Sequence, residues 1–164
     1  KTLNQYQVDN LKHLETFMDD TLLNKVFSAE FQGFKDRKKP KTPEDIRERL
    51  KLIFMGETQL GERHRFGKLK GKLKDSPGGA VGLLQVTPET LWSVAAASGK
   101  SSQFGTTAAT EAGLSTTDLN KIRKMTLPLT VKNKETLTKY LETPEVNYMA
   151  ATAKIFQYLK EHNL

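Results

Sequence analysis

The chain contains no cysteine. Disulfides, thiolate metal sites and cysteine nucleophiles are therefore excluded. It has three histidines, His13, His64 and His162. No two share the spacing that places imidazoles side by side on a helix, so each reads as a surface residue. No metal and no cofactor are expected. No apolar run approaches the ~20 residues a membrane helix needs, so no membrane insertion is expected. The first residues, KTLNQYQVDNLKHLE, lack the apolar centre of a secretion signal.

The 164 residues, 37% hydrophobic and 27% charged, suit one soluble globular domain over 1–164. The net charge of +7 favours an anionic partner: nucleic acid, acidic lipid or an acidic wall polymer. No zinc finger or RNA-binding motif is present, and the basic residues gather in loops and not on one recognition helix. Nucleic acid is accordingly not the expected partner.

Periodicity divides the chain into helices and loops. Leu11, Leu14, Met18, Leu22 and Val26, three or four apart, predict a helix over about 4–27. Thr-Pro-Glu recurs at 42, 87 and 143. The threonine can cap free amides, the proline fits the first helical position, and the glutamate suits the positive end of the dipole. Helices are predicted over about 43–60, 88–98 and 144–161. Shorter ones are predicted near 116–125, capped by Ser115 or Thr116, and near 133–141. Residues 99–114 are small and polar and read as an exposed loop. Residues 61–82 are Gly-rich and basic, with six Lys or Arg against two acids from Gly61 to Asp75. There GKLKGKLK alternates strictly, which predicts a β-hairpin flap near 66–74 with Lys68, Lys70, Lys72 and Lys74 on one face.

One acid stands apart. Ile46, Leu50, Ile53 and Glu57 fall on one stripe of the helix over 43–60. A carboxylate there is expected to be desolvated, which raises its pKa, and the negative end of the helix acts in the same direction. Such an acid stays protonated and can donate to a leaving oxygen. The segment by itself favours a solvated surface glutamate, and only the segments that follow reverse that balance. Glu62, Asp75, Glu89 and Glu111 lie in loops or at helix starts, so no second acid has a comparable setting.

Three segments, IFMGET, GGAVGLLQVTPETLW and YLETPEVNYMAATAKIFQYL, resemble three ordered motifs of the lytic transglycosylases of the lysozyme-like superfamily. That pattern is a helix ending in Glu-Ser, a Gly-Leu-Met-Gln turn followed by Pro-x-Thr, and Asp-Pro-x-x-Asn opening a long helix. The corresponding residues are Glu57-Thr58, Gly82-Leu83-Leu84-Gln85 with Pro88-Glu89-Thr90, and Thr143-Pro144-Glu145-Val146-Asn147.

The resemblance covers about 44–160. It implies a mainly α-helical, lysozyme-like domain with a small β-hairpin flap. The implied activity is cleavage of peptidoglycan between N-acetylmuramic acid and N-acetylglucosamine. Glu57 acts first as general acid and then as base toward the muramic C6 hydroxyl, closing a 1,6-anhydro ring. The alternatives are a hydrolytic lysozyme and a non-catalytic basic binding or structural domain.

Thr58, Gly82, Leu84 and Gln85 stand on the substrate side of this picture. Thr58 keeps the hydroxyl of the usual serine and orients the carboxylate or an N-acetyl group, or is an ordinary helix-end threonine. Gly82 lets backbone approach the sugar, or is a turn glycine. Leu84, with Leu83, fits a cleft wall or the core. Gln85 offers a donor and acceptors to hydroxyl or acetamido groups. Asn147 is expected to position its helix.

The chain departs from the pattern by its long basic insertion and by lacking the closing Ala-Tyr-Asn motif. Tyr140, Tyr148 and Tyr158 are the candidates to replace that motif's tyrosine. It also begins at Lys1 and not Met, which fits a processed product or a module of a larger virion protein. The expected place of action is the bacterial wall, with delivery by a bacteriophage as endolysin or virion component. A monomer, or a module of such an assembly, is expected. If the flap lysines attract anionic wall at long range, replacing Lys68, Lys70, Lys72 and Lys74 by Gln weakens wall binding and flattens its salt dependence. Co-sedimentation with sacculi across a salt series measures both, and unchanged binding would leave these lysines a solvated face.

Overall fold

A computed structural model describes residues 2–18, 42–65, 79–96 and 107–161. Within them the chain is mainly helical. The helices are α1 (Gln5–Phe17), α2 (Pro43–Thr58), α3 (Glu62–Arg65), α4 (Pro88–Ala96), α5 (Thr116–Arg123), α6 (Val131–Leu141) and α7 (Pro144–Glu161). Residues 107–111 form a further helical turn. Among the described residues the one β contact is an antiparallel bridge between Val81 and Val86. The predicted hairpin near 66–74 lies outside the described residues, as do 19–41 of the predicted first helix and its surroundings.

Capping chemistry sets the helix starts. Asn4, Thr42 and Ser115 each accept from the amide three residues on, and each donates its own backbone amide to that residue's side chain. Thr87 caps α4 through Thr90 N at 3.2 Å, and Thr130 caps α6 through Asn133 N at 3.1 Å. The Thr130 cap starts α6 at Val131, two residues before the sequence expectation. The loop expected over 99–114 is corrected in its second half. Residues 107–111 are helical, and Ala108, Ala109, Ala112 and Leu114 are buried. Small size there reflects close packing and not exposure.

The core is built around α4 and α7. Helix α4 packs against α5, α6 and α7, and α7 also contacts α2. Leu91, Val94 and Ala95 of α4 are fully buried, with Ile122, Leu137 and Leu141. Trp92 Nε1 donates to Met125 O at 3.0 Å, fixing the end of α5 to α4. Helix α1 reaches α7 through an aromatic seam. Tyr148 is fully buried, and its ring lies 5.6 Å from His13 and 6.1 Å from both Phe17 and Phe54. His13 Nε2 stands 3.1 Å from Glu145 Oε1 across the same seam. Lys51 of α2 bridges to Glu15 of α1 at 3.0 Å, and that bond holds its ammonium pKa above the ordinary lysine value.

The inward stripe of α2 differs from the predicted one. Ile46, Leu50, Phe54 and Thr58 are buried, at steps of four, while Ile53 is only half-buried. Four residues advance an α-helix 40° past a full turn, so the buried line slides around the axis toward the C-terminus. The Tyr148 ring draws Phe54 inward, and Glu57 is carried to the outer face, where it is exposed.

Two phenols make the fold sensitive to alkali. Burial, with the hydrogen bond from Tyr140 Oη to Asp118 Oδ1 at 2.9 Å, pushes Tyr140 up to about 12. Burial, reinforced by the charge of Glu145, pushes Tyr148 further in the same direction. An unfolded chain releases both protons near the ordinary tyrosine value of 10.0, while the folded chain retains them. Their contribution to stability is therefore complete below about pH 10 and is lost as pH rises through the folded values. Urea midpoints should fall steeply above pH 10. The slope should be shallower for Tyr140→Phe, and an equal slope in that variant would remove Tyr140 from the explanation.

Candidate functional site

The end of α2 is fixed by an unusual backbone. Gln59, Leu60 and Gly61 have φ of 52°, 55° and 91°, three left-handed residues in a row. For two non-glycine residues this conformation is strained and needs external support. Part of that support is local. Gln59 N donates to Met55 O at 2.9 Å, and Leu60 N donates to Phe54 O at 3.2 Å. The rest comes from α1. Gln7 Nε2 donates to Gln59 O at 2.9 Å, and Asn10 Nδ2 donates to Leu60 O at 2.9 Å. Gly61 suits its position on two counts: its φ, and a Cβ there would come within 2.5 Å of Asn10 Nδ2. This run ends α2 at Thr58, two residues before the predicted boundary.

The second component is the turn over 82–85. Val81 and Val86 exchange both backbone bonds, at 2.8 and 3.0 Å, and close a four-residue loop. Gly82 and Gln85 take left-handed φ of 76° and 52°. Two buried side chains hold this loop from opposite elements. Thr58 Oγ1 donates to Leu83 O at 2.7 Å and accepts from Gly61 N at 3.1 Å. Asn147 Oδ1 accepts from Leu84 N at 2.8 Å, while its Nδ2 donates to Val81 O at 2.8 Å and Leu141 O at 3.0 Å. A Cβ on Gly82 would collide with the Asn147 amide and stand 2.8 Å from Leu141 O. Three segments singled out in the sequence thus form one hydrogen-bonded unit.

The unit revises individual roles. Thr58 has no exposed surface, and its hydroxyl is engaged by Leu83 and Gly61, so it positions the turn and is not open to an N-acetyl group. Gly82 and Leu84 are buried as well, which favours the turn and core readings over contact with a ligand. Gln85 is half-buried; its Nε2 donates to Gly82 O at 2.8 Å, and its Oε1 has no partner among the described residues. Asn147 does more than place its helix, since it carries both ends of the loop. Asn10 and Gln7 were not singled out in the sequence. The signal for them was indirect: a glycine after a helix end that needs outside donors.

Glu57 follows a different geometry from its neighbour. It lies 100° around α2 from Thr58 and faces outward. The desolvation expected from its stripe is absent, because the side chain is exposed. It has no hydrogen-bond or ion-pair partner among the described residues. It lines an open groove of about 610 Å³ along α2, with Asp45, Ile46, Glu48, Arg49, Leu52, Ile53 and Gly56. Among the described residues its lining carries three carboxylates and one guanidinium, an acidic balance unlike that of the chain as a whole. The lining includes neither Gly82, Leu84 nor Gln85, nor any tyrosine. Tyr140 is bonded to Asp118, and Tyr148 is buried beneath α2. Tyr158 lines a separate hollow between α2 and α7. None of the three takes the place of the missing motif tyrosine at the groove.

Among the described residues, no cluster of three or more His, Cys, Asp or Glu could hold a metal ion, and no helix is long and apolar enough to cross a membrane. No family model matches the chain, and no curated protein or solved structure matches it either.

The unit makes testable demands. Asn147→Ala would leave Leu84 N, Val81 O and Leu141 O unpaired in a buried place. At roughly 1–3 kcal/mol for each orphaned group, relaxation included, a loss of about 3 kcal/mol or more is expected by urea unfolding. Thr58→Ser should be nearly neutral, and Thr58→Val should cost about 1–3 kcal/mol by orphaning Leu83 O. Equal stability for Ser and Val at 58 would show that the hydroxyl does not hold the turn.

Proposed function

We propose that this chain is a lysozyme-like domain that cleaves the glycan of peptidoglycan as a lytic transglycosylase, with Glu57 as its acid and base. The observation that carries the reading is the union of the three motif segments. Glu57-Thr58, Gly82–Gln85 and Asn147 are distant in sequence, yet the Thr58 hydroxyl and the Asn147 amide hold the same turn over 82–85 from two sides. A resemblance made of unrelated accidents has no reason to converge on one set of hydrogen bonds. The open space along α2 is consistent with it, since Glu57 has no partner among the described residues and lines that space beside polar and apolar side chains of its own helix.

In this reading Glu57 donates its proton to the glycosidic oxygen as the bond to C1 breaks. The same carboxylate then removes the proton of the muramic C6 hydroxyl, which attacks C1 and closes the 1,6-anhydro ring. The proton lost in the first half is recovered in the second, so Glu57 ends as it began. No second carboxylate is required, in contrast to the paired acids of other glycosidases. Asp45 and Glu48 share the groove. Glu48 is paired with Lys51 at 3.3 Å, and Asp45 Oδ2 accepts from Thr42 N at 2.8 Å at the helix start, so both are committed elsewhere. A bound glycan would itself exclude water from Glu57, supplying the desolvation that the free protein lacks.

The experiment is digestion of purified sacculi followed by mass spectrometry of the released muropeptides. Anhydro ends support the transglycosylase, whereas ends heavier by one water identify a hydrolytic lysozyme. Glu57→Gln should keep the fold, because the side chain is exposed, and lower the rate by ~10²–10⁴ or more. Lysis by that variant at the wild-type rate would sink the assignment.

A further inference from the structure

Next to the Glu57 groove lies a hollow of about 220 Å³, lined by Arg49, Ile53, Lys154, Ile155 and Tyr158. Arg49 and Ile53 line both spaces, so the two adjoin along α2. The hollow has the opposite charge to the groove. The charged residues of its described lining are Arg49 from α2 and Lys154 from α7, both exposed and neither with a hydrogen-bond or ion-pair partner among the described residues. Other cations of the same helical surface are engaged: Lys51 with Glu15 and Glu48, and Lys134 with Glu89. Between the two free cations the floor is apolar, formed by half-buried Ile53 and by Ile155 at 9% exposure.

We propose that Arg49 and Lys154 form a subsite for the carboxylate of a short acidic peptide, whose small side chains rest on Ile53 and Ile155. A guanidinium and an ammonium over an apolar floor match an anion that carries methyl groups. The adjoining acidic groove decides against a polyanion. A nucleic acid lying across Arg49 would be driven onto Asp45, Glu48 and Glu57, whereas a neutral sugar chain with one anionic branch meets both surfaces favourably. The source of the peptide rests on the proposed function: peptidoglycan carries stem peptides rich in alanine with free carboxylates. The subsite would thus read the branch while the groove holds the chain.

Binding can be tested without cleavage. The full chain, ¹⁵N-labelled, is titrated with stem tetrapeptide released from sacculi by an amidase, and with the same peptide after its carboxyls are amidated. Shifts should concentrate at Arg49, Ile53, Lys154 and Ile155. Arg49→Gln combined with Lys154→Gln should weaken binding about tenfold, and amidation should do the same, since charge-assisted bonds are lost in each case. Both residues are exposed, so the variant should retain the wild-type melting temperature. No shift at these residues, equal affinity in the double variant, or equal affinity for the amidated peptide would overturn the proposal. So would a short DNA duplex that shifts the same residues at lower concentration. Cleavage of sacculi without peptide binding would end the subsite alone, and peptide binding without cleavage would end the proposed function alone.

Discussion

The amide of Asn147 joins parts of the chain that no backbone ladder connects. Its oxygen accepts from Leu84 N and its nitrogen donates to Val81 O and Leu141 O, so the side chain links the turn to the helices on either side of residue 143. In a mainly helical protein the segments between helices have few ways to satisfy buried peptide groups. A primary amide solves this locally, because it presents a donor edge and an acceptor edge as a peptide does. Substituting a carboxylate would set oxygen against the carbonyls of Val81 and Leu141. The position of α7 relative to the turn, and of the turn relative to the end of α2, follows from this side chain and from Thr58.

The second dependence runs through α1. The left-handed run at 59–61 persists because Gln7 and Asn10 supply donors from about fifty residues earlier. Helix α1 is in turn held against α7 by the Tyr148 ring and against α2 by Lys51 with Glu15. Glu57 leaves α2 in the direction its helical position gives it, and the acid itself makes no hydrogen bond or ion pair among the described residues.

Helices were legible wherever local chemistry dominated. Thr42, Thr87 and Ser115 cap where their sequence contexts said they would, and Pro144–Glu161 agrees with its predicted limits. Ends were less legible. Nothing within 43–60 announces that Gln59 and Leu60 are left-handed, since neither residue prefers that conformation and the donors sit on another helix. The face of α2 was misjudged by one residue at its last turn, because periodicity alone weighs Ile53 and Phe54 alike and only Tyr148 distinguishes them. For the site, the grouping of the three segments was readable as a pattern, but the work each residue does was not. Burial turned Thr58, Gly82 and Leu84 from prospective ligand contacts into supports. Arg49 and Lys154 carry no sequence signal at all, as each looks like any solvated cation until α2 and α7 are side by side.

The bridge between Val81 and Val86 encloses four residues, and each has an assigned task within that span. Gly82 clears the Asn147 amide, Leu83 offers its carbonyl to Thr58, Leu84 offers its amide to Asn147, and Gln85 bends back to Gly82. Length is therefore a stricter requirement here than identity. At 83 the contact to Thr58 is made by backbone, so the side chain can vary within the limits of packing. One inserted or deleted residue would put every bond out of step at once. The loop behaves as a ruler between α2 and α7, and variation in this part of the chain would be confined to exchange of side chains, with gaps displaced to the segments on either side.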